Sequence, residues 1–289
     1  MELKSIASWL DNTAAPTDGS AHGVDWVRIA PYLLLHAGCL GVIWVGVSST
    51  AIWVAAALYA FRMFAITGFY HRYFAHGAFC TSRVVQFLFA FLAATAAQRG
   101  PLWWASHHRH HHAHADSPSD PHSARQHGFL WSHIGWFLAR ENFSTRMELV
   151  ARLARYPELR FLDRHDALAP LVLGAALYAA GGLQLVVWGL CVSTVVLHHA
   201  TFTINSLAHR WGRRRYATRD DSRNNAFLAL LTFGEGWHNN HHHFPGAARQ
   251  GFYWWEIDLT WYGLRTLAAL GLIWDLKEPP AAIREARRA

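Results

Sequence analysis

WASHHRHHHAH, residues 104–114, sets six histidines directly behind an apolar run. If the stretch is helical, His108, His111 and His112 stand at i, i+3 and i+4, within about 100° of one another on one face. Three neutral imidazoles on one face make half of a metal cage. Imidazole suits iron, zinc, copper or nickel alike, so ligand type alone does not choose the metal. The places that can supply the other half decide the fold.

Three other segments qualify. HRYFAH offers His71 and His76, whose spacing puts them about 140° apart on a continuous helix, so they are expected to converge only where the helix ends between them. NSLAH offers Asn205 and His209 at i, i+4. HNNHH offers His238, His241 and His242 and repeats the HxxHH spacing. Nine histidines and one asparagine would serve two metal ions with four or five nitrogen ligands each. Soluble di-iron bundles need two Glu-x-x-His motifs, and near these boxes only Glu235-Gly-Trp-His238 fits. Glu235 is therefore expected to accept the other N–H of a ligating histidine and fix its tautomer.

The chain around these segments is apolar. Of its 289 residues 52% are hydrophobic, 14% aromatic and only 16% charged, too few charges for an ordinary soluble domain of this size. Fifteen tryptophans suit interfacial belts or an apolar ligand tunnel. A net charge of +7 fits nucleic acid in principle, but beside long apolar runs it points to anionic membrane lipid instead. Cys39, Cys80 and Cys191 lie in or beside apolar runs and form no CxxC pair, which argues against an iron–sulfur module and a disulfide framework.

These features predict an all-α integral membrane protein of one domain. Four transmembrane helices, at about 29–47, 51–70, 167–181 and 183–205, the last two a hairpin broken at Gly181-Gly182, carry a cytosolic helical cap, residues 71–166 and 206–289, that holds a di-metal histidine site. Residues 1–28 read as a polar cytosolic tail. Residues 84–104 are apolar, yet crossing the membrane there would separate His71 from His108, so they are expected to lie in-plane or re-entrant. Residues 140–164 and 259–273 predict amphipathic helices. The basic cluster Arg210, Arg213, Arg214 and Arg215 puts the end of the fourth span, and both termini, in the cytoplasm. Arg62 lies inside the second span, where it is expected to snorkel towards the cytosolic face or to pair with a polar group in the cap, a structural role ahead of substrate contact.

HRYFAH, WASHHRHHH, DPH, SHIGW, NSLAHRWG and GEGWHNNHHHFP, in this order, resemble the integral-membrane fatty acid desaturases of the stearoyl-CoA (acyl-CoA delta-9) type, in their bacterial branch. The resemblance implies an O2-dependent enzyme of the inner membrane. It would introduce a cis double bond, at delta-9, into a saturated acyl chain held in a bent tunnel beside two non-haem iron ions. At matching positions it implies iron ligation by His71, His76, His108, His111, His112, His209, His238, His241 and His242, with Asn205 reaching its iron through water. It implies that Gln98, Trp104 and Thr201 shape the tunnel's kink, and that Tyr59 and Met63 form its floor. Where the animal enzymes carry basic contacts to the CoA headgroup, this chain has Ser106-His107 and Gln126-His127, which leaves CoA, acyl carrier protein and intact lipid open as the acyl carrier. No HPGG haem-binding motif occurs, and haem, flavin and iron–sulfur groups are not expected in this chain. A separate electron donor, a ferredoxin, a rubredoxin or a cytochrome b5-like protein with its reductase, is implied.

Two other readings compete. A membrane hydroxylase of acyl or alkyl chains shares such boxes, but the order of all four, with Gln98 and Thr201, favours desaturation. A metal-binding sensor or transporter needs ionisable groups lining a path through the spans. Only Arg62, His36, His198 and His199 offer themselves for that.

Overall fold

The computed structural model describes residue 11, residues 23–26 and residues 28–286; the tail expected at 1–28 lies almost wholly outside the described residues. The described chain is mostly helical. In chain order its main helices are α1 (Ala30–Gly38), α2 (Ser49–Phe64), α3 (Arg83–Ala94), α4 (Pro101–His114), α5 (Pro157–Arg164), α6 (Leu168–Leu185), α7 (Ser193–Ser206), α8 (His238–His243) and α9 (Leu259–Ala269). Wider π-type turns continue α2 through Ala65–Ala75 and join α6 to α7 through Val186–Val192. Among the described residues the sheet content is one antiparallel clip that pairs Cys80 with Trp274 and Thr81 with Ile273.

Two helical rods, Ser49–Ala75 and Leu168–Ser206, are long and apolar enough to cross a membrane, and Ala30–Val45 and Arg83–Ala94 are shorter apolar helices. The second rod is not straight. Gly181 and Gly182 leave helical geometry, Gly182 at φ 64°. A Cβ on Gly174 would then lie 3.2 Å from Leu190, whereas a straight helix would hold these residues about 24 Å apart. The chain thus folds back on itself at the expected Gly-Gly break.

Ser48 starts α2 by accepting the Ala51 N–H at 3.1 Å, and Gly46 makes the preceding turn at φ 66°. This turn meets the Gly181–Gly182 turn. Ser48 Oγ donates to Gln184 at 2.8 Å, Gln184 Nε2 donates to the Val45 carbonyl at 2.8 Å, and the Trp188 indole donates to the Gly46 carbonyl at 2.9 Å. Four apolar limbs therefore share one turn end, and the other ends of two of them carry HRYFAH and NSLAH.

Arg62 is fully buried among these limbs. It donates to the carbonyls of Leu58, Thr95 and Gly189 at 3.1, 3.2 and 3.2 Å and to the hydroxyls of Thr194 and Ser193 at 2.6 and 2.7 Å. The apolar run at 84–104 breaks into α3 and α4 at a bend where Ala97 and Arg99 take φ of 53° and 70°. α3 packs against the π stretch of the first rod, with Phe69 and Phe89 stacked at 3.9 Å.

Residues 140–164 are not one amphipathic helix. Short 3-10 turns at Arg140–Asn142, Met147–Val150 and Leu153–Arg155 precede α5. Pro157 holds Tyr156 extended, at φ −86° and ψ 110°, and Thr145 turns inward to donate to Asp163 at 2.7 Å. The C-terminal helix expected at 259–273 stops at Ala269, because Gly271 turns at φ 70° into the Ile273–Trp274 strand.

Candidate metal centre

HRYFAH lies on the π stretch. There the His76 N–H reaches the His71 carbonyl, five residues back, at 3.2 Å, the bond of a π turn. The two rings stand 5.0 Å apart. The helix does not have to end between these histidines, as the spacing led us to expect; it widens instead, and the wider turn brings residues five apart to one side.

Two arginines inside the boxes join them. Arg72 makes two 3.0 Å bonds to the Asp258 carboxylate, one of 3.2 Å to Glu235 and one of 2.7 Å to the Ala248 carbonyl. Arg109, between His108 and His110, donates to the carbonyls of Phe74 and Ala75 at 2.8 and 2.9 Å. It thereby satisfies the end of the π stretch with a side chain from α4. In α8 the two asparagines of HNNHH point away from the histidines. Asn239 Oδ1 accepts the N–H groups of Arg215 and Tyr216, each at 2.7 Å, and Asn224 Oδ1 accepts those of Asn239 and Asn240 at 2.9 and 3.1 Å. His238, His241 and His242 are left facing the boxes on the other elements.

The nine histidines singled out in the sequence fall into two groups. One nitrogen each from His71, His76, His108, His112 and His241 lies within 4.8 Å of the others, and the same holds for His111, His209, His238 and His242. Several Nε2 atoms face one another directly: His71 and His241 at 3.0 Å, His76 and His108 at 2.8 Å, His112 and His241 at 2.9 Å, His209 and His238 at 3.0 Å. Metal–nitrogen bonds of about 2.0–2.1 Å at right angles put neighbouring nitrogens about 2.9 Å apart. The groups abut, with His112 and His242 stacked at 4.5 Å.

Carboxylates fix which nitrogen faces inward. Nδ1 of His111 bonds Asp120 at 2.9 Å, Nδ1 of His209 bonds Asp116 at 2.7 Å, Nδ1 of His242 bonds Asp220 at 2.9 Å, and Nδ1 of His71 meets Glu235. A carboxylate accepts, so each Nδ1 carries the proton and each Nε2 keeps a bare lone pair. His242 Nε2 is buried with no hydrogen-bond partner, the condition of a nitrogen meant for a metal. Burial, reinforced by neighbouring imidazoles, holds His108, His112, His238 and His241 well below the usual histidine range, so they stay neutral. Burial also lowers His242, to about 4, against the pull of Asp220. It disfavours the His111 imidazolium as well, but Asp120, Asp116 and Asp220 outweigh it and raise that group. Burial works against ionised Asp116, Asp120 and Asp220 too, yet their bonds to histidine and to backbone N–H groups hold all three below the carboxylate range.

The sequence pointed to Glu235 as a tautomer-setting carboxylate but not to Asp116, Asp120 or Asp220. Two of them were within reach of a simple rule. Asp116 and Asp120 follow the second box closely, and each ligating imidazole needs something on its other nitrogen.

An apolar cavity of about 550 Å³ leads to this centre. His108 and Asn205 stand on its wall at the metal end, together with Gln98, Trp104 and Thr201. Gln98 Nε2 donates to Thr201 Oγ1 at 2.7 Å, and the Trp104 indole approaches Gln98 Oε1 at 3.4 Å, so the three form one polar seam. The Asn205 backbone carbonyl accepts the Ser132 hydroxyl at 2.9 Å. Tyr59 and Met63 are not on the wall of this cavity. Met63 is buried in the main core, and the Tyr59 hydroxyl donates to the Leu231 carbonyl at 2.6 Å.

Residues 48–275 match the profile of a family described as fatty acid desaturase, which covers more than half of the chain. The chain belongs to the fatty acid desaturase family. As a desaturase it is an oxidoreductase acting on acyl chains, and all nine histidines lie within the matched region. Among its relatives, an icosanoyl-CoA 5-desaturase of Limnanthes douglasii is 42% identical over 83% of this chain and 68% of that protein. An acyl-CoA C20 delta-5 desaturase of Anemone leveillei is 38% identical over 96% of each chain. An sn-2 palmitoyl-lipid 9-desaturase of Nostoc sp. (strain 36) is 37% identical over 89% of this chain and 92% of the relative.

Proposed function

We propose that this desaturase introduces a cis double bond into a saturated acyl chain lying in the cavity, with O2 as co-substrate and iron in both histidine groups. The observation that carries the proposal is the meeting of cavity and cage at His108, beside the seam of Gln98, Thr201 and Trp104. Two iron ions held by the nine histidines, with Asn205 contributing through water, would supply O2 activation and the removal of two hydrogens, while two electrons and two protons complete the reduction of O2 to water. The chain's own residues do the rest. The apolar wall excludes water, the seam holds the bend of the chain, and the carboxylates keep the ligating imidazoles in one tautomer. Relatives of similar identity are named for positions 5 and 9; we assign position 9. Electrons come from a separate protein of the ferredoxin, rubredoxin or cytochrome b5 kind.

In this reading the four apolar limbs span a membrane and the boxes lie in a cytoplasmic cap. The shared turn end of the limbs supports it, as do Trp44 and Trp53, exposed near that end as interfacial anchors. The basic cluster at Arg210 and Arg213 to Arg215 supports a cytoplasmic opposite end.

The test is expression in a bacterial host, followed by mass-spectrometric profiling of fatty acids with double-bond localisation, beside His111→Ala and His241→Ala. A new monoenoic chain that vanishes in both variants is expected. A hydroxy acid without an alkene, or an alkene that persists in both variants, overturns the reading.

A further inference from the structure

We infer that the acyl chain reaches the cavity sideways from the bilayer, still esterified to a membrane glycerolipid, through the gap between α1 and α6. The inference rests on the desaturase reading and adds the form in which the substrate arrives. Of the described residues on the cavity wall, only Leu34 and Leu171 are exposed, at 61% and 58%. Each belongs to an apolar limb whose other exposed residues are also apolar, Leu33 beside Leu34, and Leu168 and Val172 beside Leu171. α1 and α6 both lean on Val186–Val192. A Cβ on Gly38 would lie 2.6 Å from Cys191 Sγ, and one on Gly174 would lie 3.2 Å from Leu190. Leu190 and Cys191 then form part of the cavity wall between the two limbs. The exposed part of this wall is hydrocarbon on a surface made to face lipid.

Limb length supports the same route. At 1.5 Å per residue Ala30–Val45 spans about 24 Å and the stretch 168–180 about 20 Å, against about 30 Å of bilayer hydrocarbon. Short limbs draw the rim of the cavity down to the level of lipid esters. The rim is also balanced in charge. Arg28 stands 3.9 Å from Asp25, and Arg99 stands 3.4 Å from Asp166. A CoA headgroup brings several phosphate charges that two already paired arginines do not match. A glycerolipid ester needs only a polar rim above an apolar opening.

The test uses the same bacterial expression host as the experiment above. Lipids are labelled with perdeuterated palmitate and isotope-labelled glycerol before the enzyme is induced, and free label is chased out. Deuterated alkenes are expected in phospholipids that still carry labelled glycerol. Leu34→Trp and Leu171→Trp, which fill the gap, are expected to lower that product by about tenfold, the scale of a misfit in an apolar channel. Leu40→Trp, on the continuation of the same limb but off the cavity wall, is expected to leave it unchanged, and protein yield and metal content report folding in each variant. Alkenes confined to chains made after induction, or gap variants equal to the parent, overturn the inference and leave the desaturase reading standing. No alkene in the His-intact protein in either pool removes both.

Discussion

The Gln98 carboxamide and the Thr201 hydroxyl, 103 residues apart in sequence, meet at 2.7 Å on the wall of the apolar cavity. Thr201 is itself held by the His198 carbonyl, which accepts its hydroxyl at 2.9 Å, so α7 fixes the seam from one side. Thr201→Val keeps the side-chain outline but removes the acceptor, leaving a buried amide donor unpaired at a cost of about 1–3 kcal/mol. A bend no longer pinned shifts the reacting carbons, and a misplacement of about 1 Å costs about a hundredfold in rate. We expect Thr201→Val and Gln98→Leu to lower alkene yield ten- to a hundredfold, on the order of that misplacement cost, and to add minor positional isomers. Double-bond localisation reads the isomers, and an unchanged metal-to-protein ratio shows that the cage survives.

Asp163 fastens the helix that carries the second box. Its Oδ1 accepts the N–H groups of Leu102 and Trp103 at 2.9 and 2.7 Å, and Thr145 donates to its Oδ2 at 2.7 Å. Asp163→Ala should cost about 1–2 kcal/mol, the worth of a helix cap. Burial raises this carboxyl to about 6, against the pull of the Trp103 N–H and Thr145. The folded value thus stands above the unfolded value of about 3.9. Below pH 4 or so the group is neutral in both states, and stability is lost as pH rises from about 4 to about 6. Asp163→Asn cannot ionise. Its melting temperature relative to the parent should therefore climb across that window, and a constant difference would refute the assignment.

The boxes were legible in the sequence because their logic is local. HxxHH on a helix declares a face, and α4 and α8 form as that spacing demands. The break at Gly181-Gly182 was equally local. HRYFAH was misread, because hydrogen bonds in the ladder, not residue spacing, decide between an α and a π turn. The run at 140–164 was misread for a similar reason. Its apolar residues follow a helical period, but Pro157 and the bond from Thr145 to Asp163 break it. Asp220 was hidden because its function depends on which imidazole it meets, a relation between distant segments; Asp116 and Asp120 lie close behind the second box, but their positions do not say which imidazole each one meets. Tyr59 and Met63, offered as the tunnel floor, stand off the described cavity for the same kind of reason: a shared helix face does not reveal what packs against it.

Arg62 spends its donors on three carbonyls and two hydroxyls from α2, the α3–α4 bend and the α6–α7 junction. Arg62→Met would take away five hydrogen bonds to buried oxygens. Lysine has three donors on a point charge and cannot serve the same five oxygens. We expect Arg62→Met to lose at least about 2 kcal/mol of stability and Arg62→Lys to fall between it and the parent. Thermal unfolding in detergent measures this. An unchanged melting temperature in Arg62→Met would show that the network is idle.

Carboxylates behind the clustered histidines differ between the two groups, and metal content can report the division. Asp116, Asp120 and Asp220 stand behind His209, His111 and His242, all members of one group, whereas Glu235 stands behind His71 in the other. Replacing such a partner typically weakens metal binding about ten- to a hundredfold, because the imidazole loses basicity and its fixed tautomer. Asp220→Asn should therefore empty the His111–His209–His238–His242 group first, and Glu235→Gln the other. Each variant should fall from about two metal ions per chain toward about one at limiting metal, while a variant carrying both falls further. Elemental analysis of purified protein gives the ratio. If either single substitution emptied both groups together, or neither, the two cages would not be held independently by their own carboxylates.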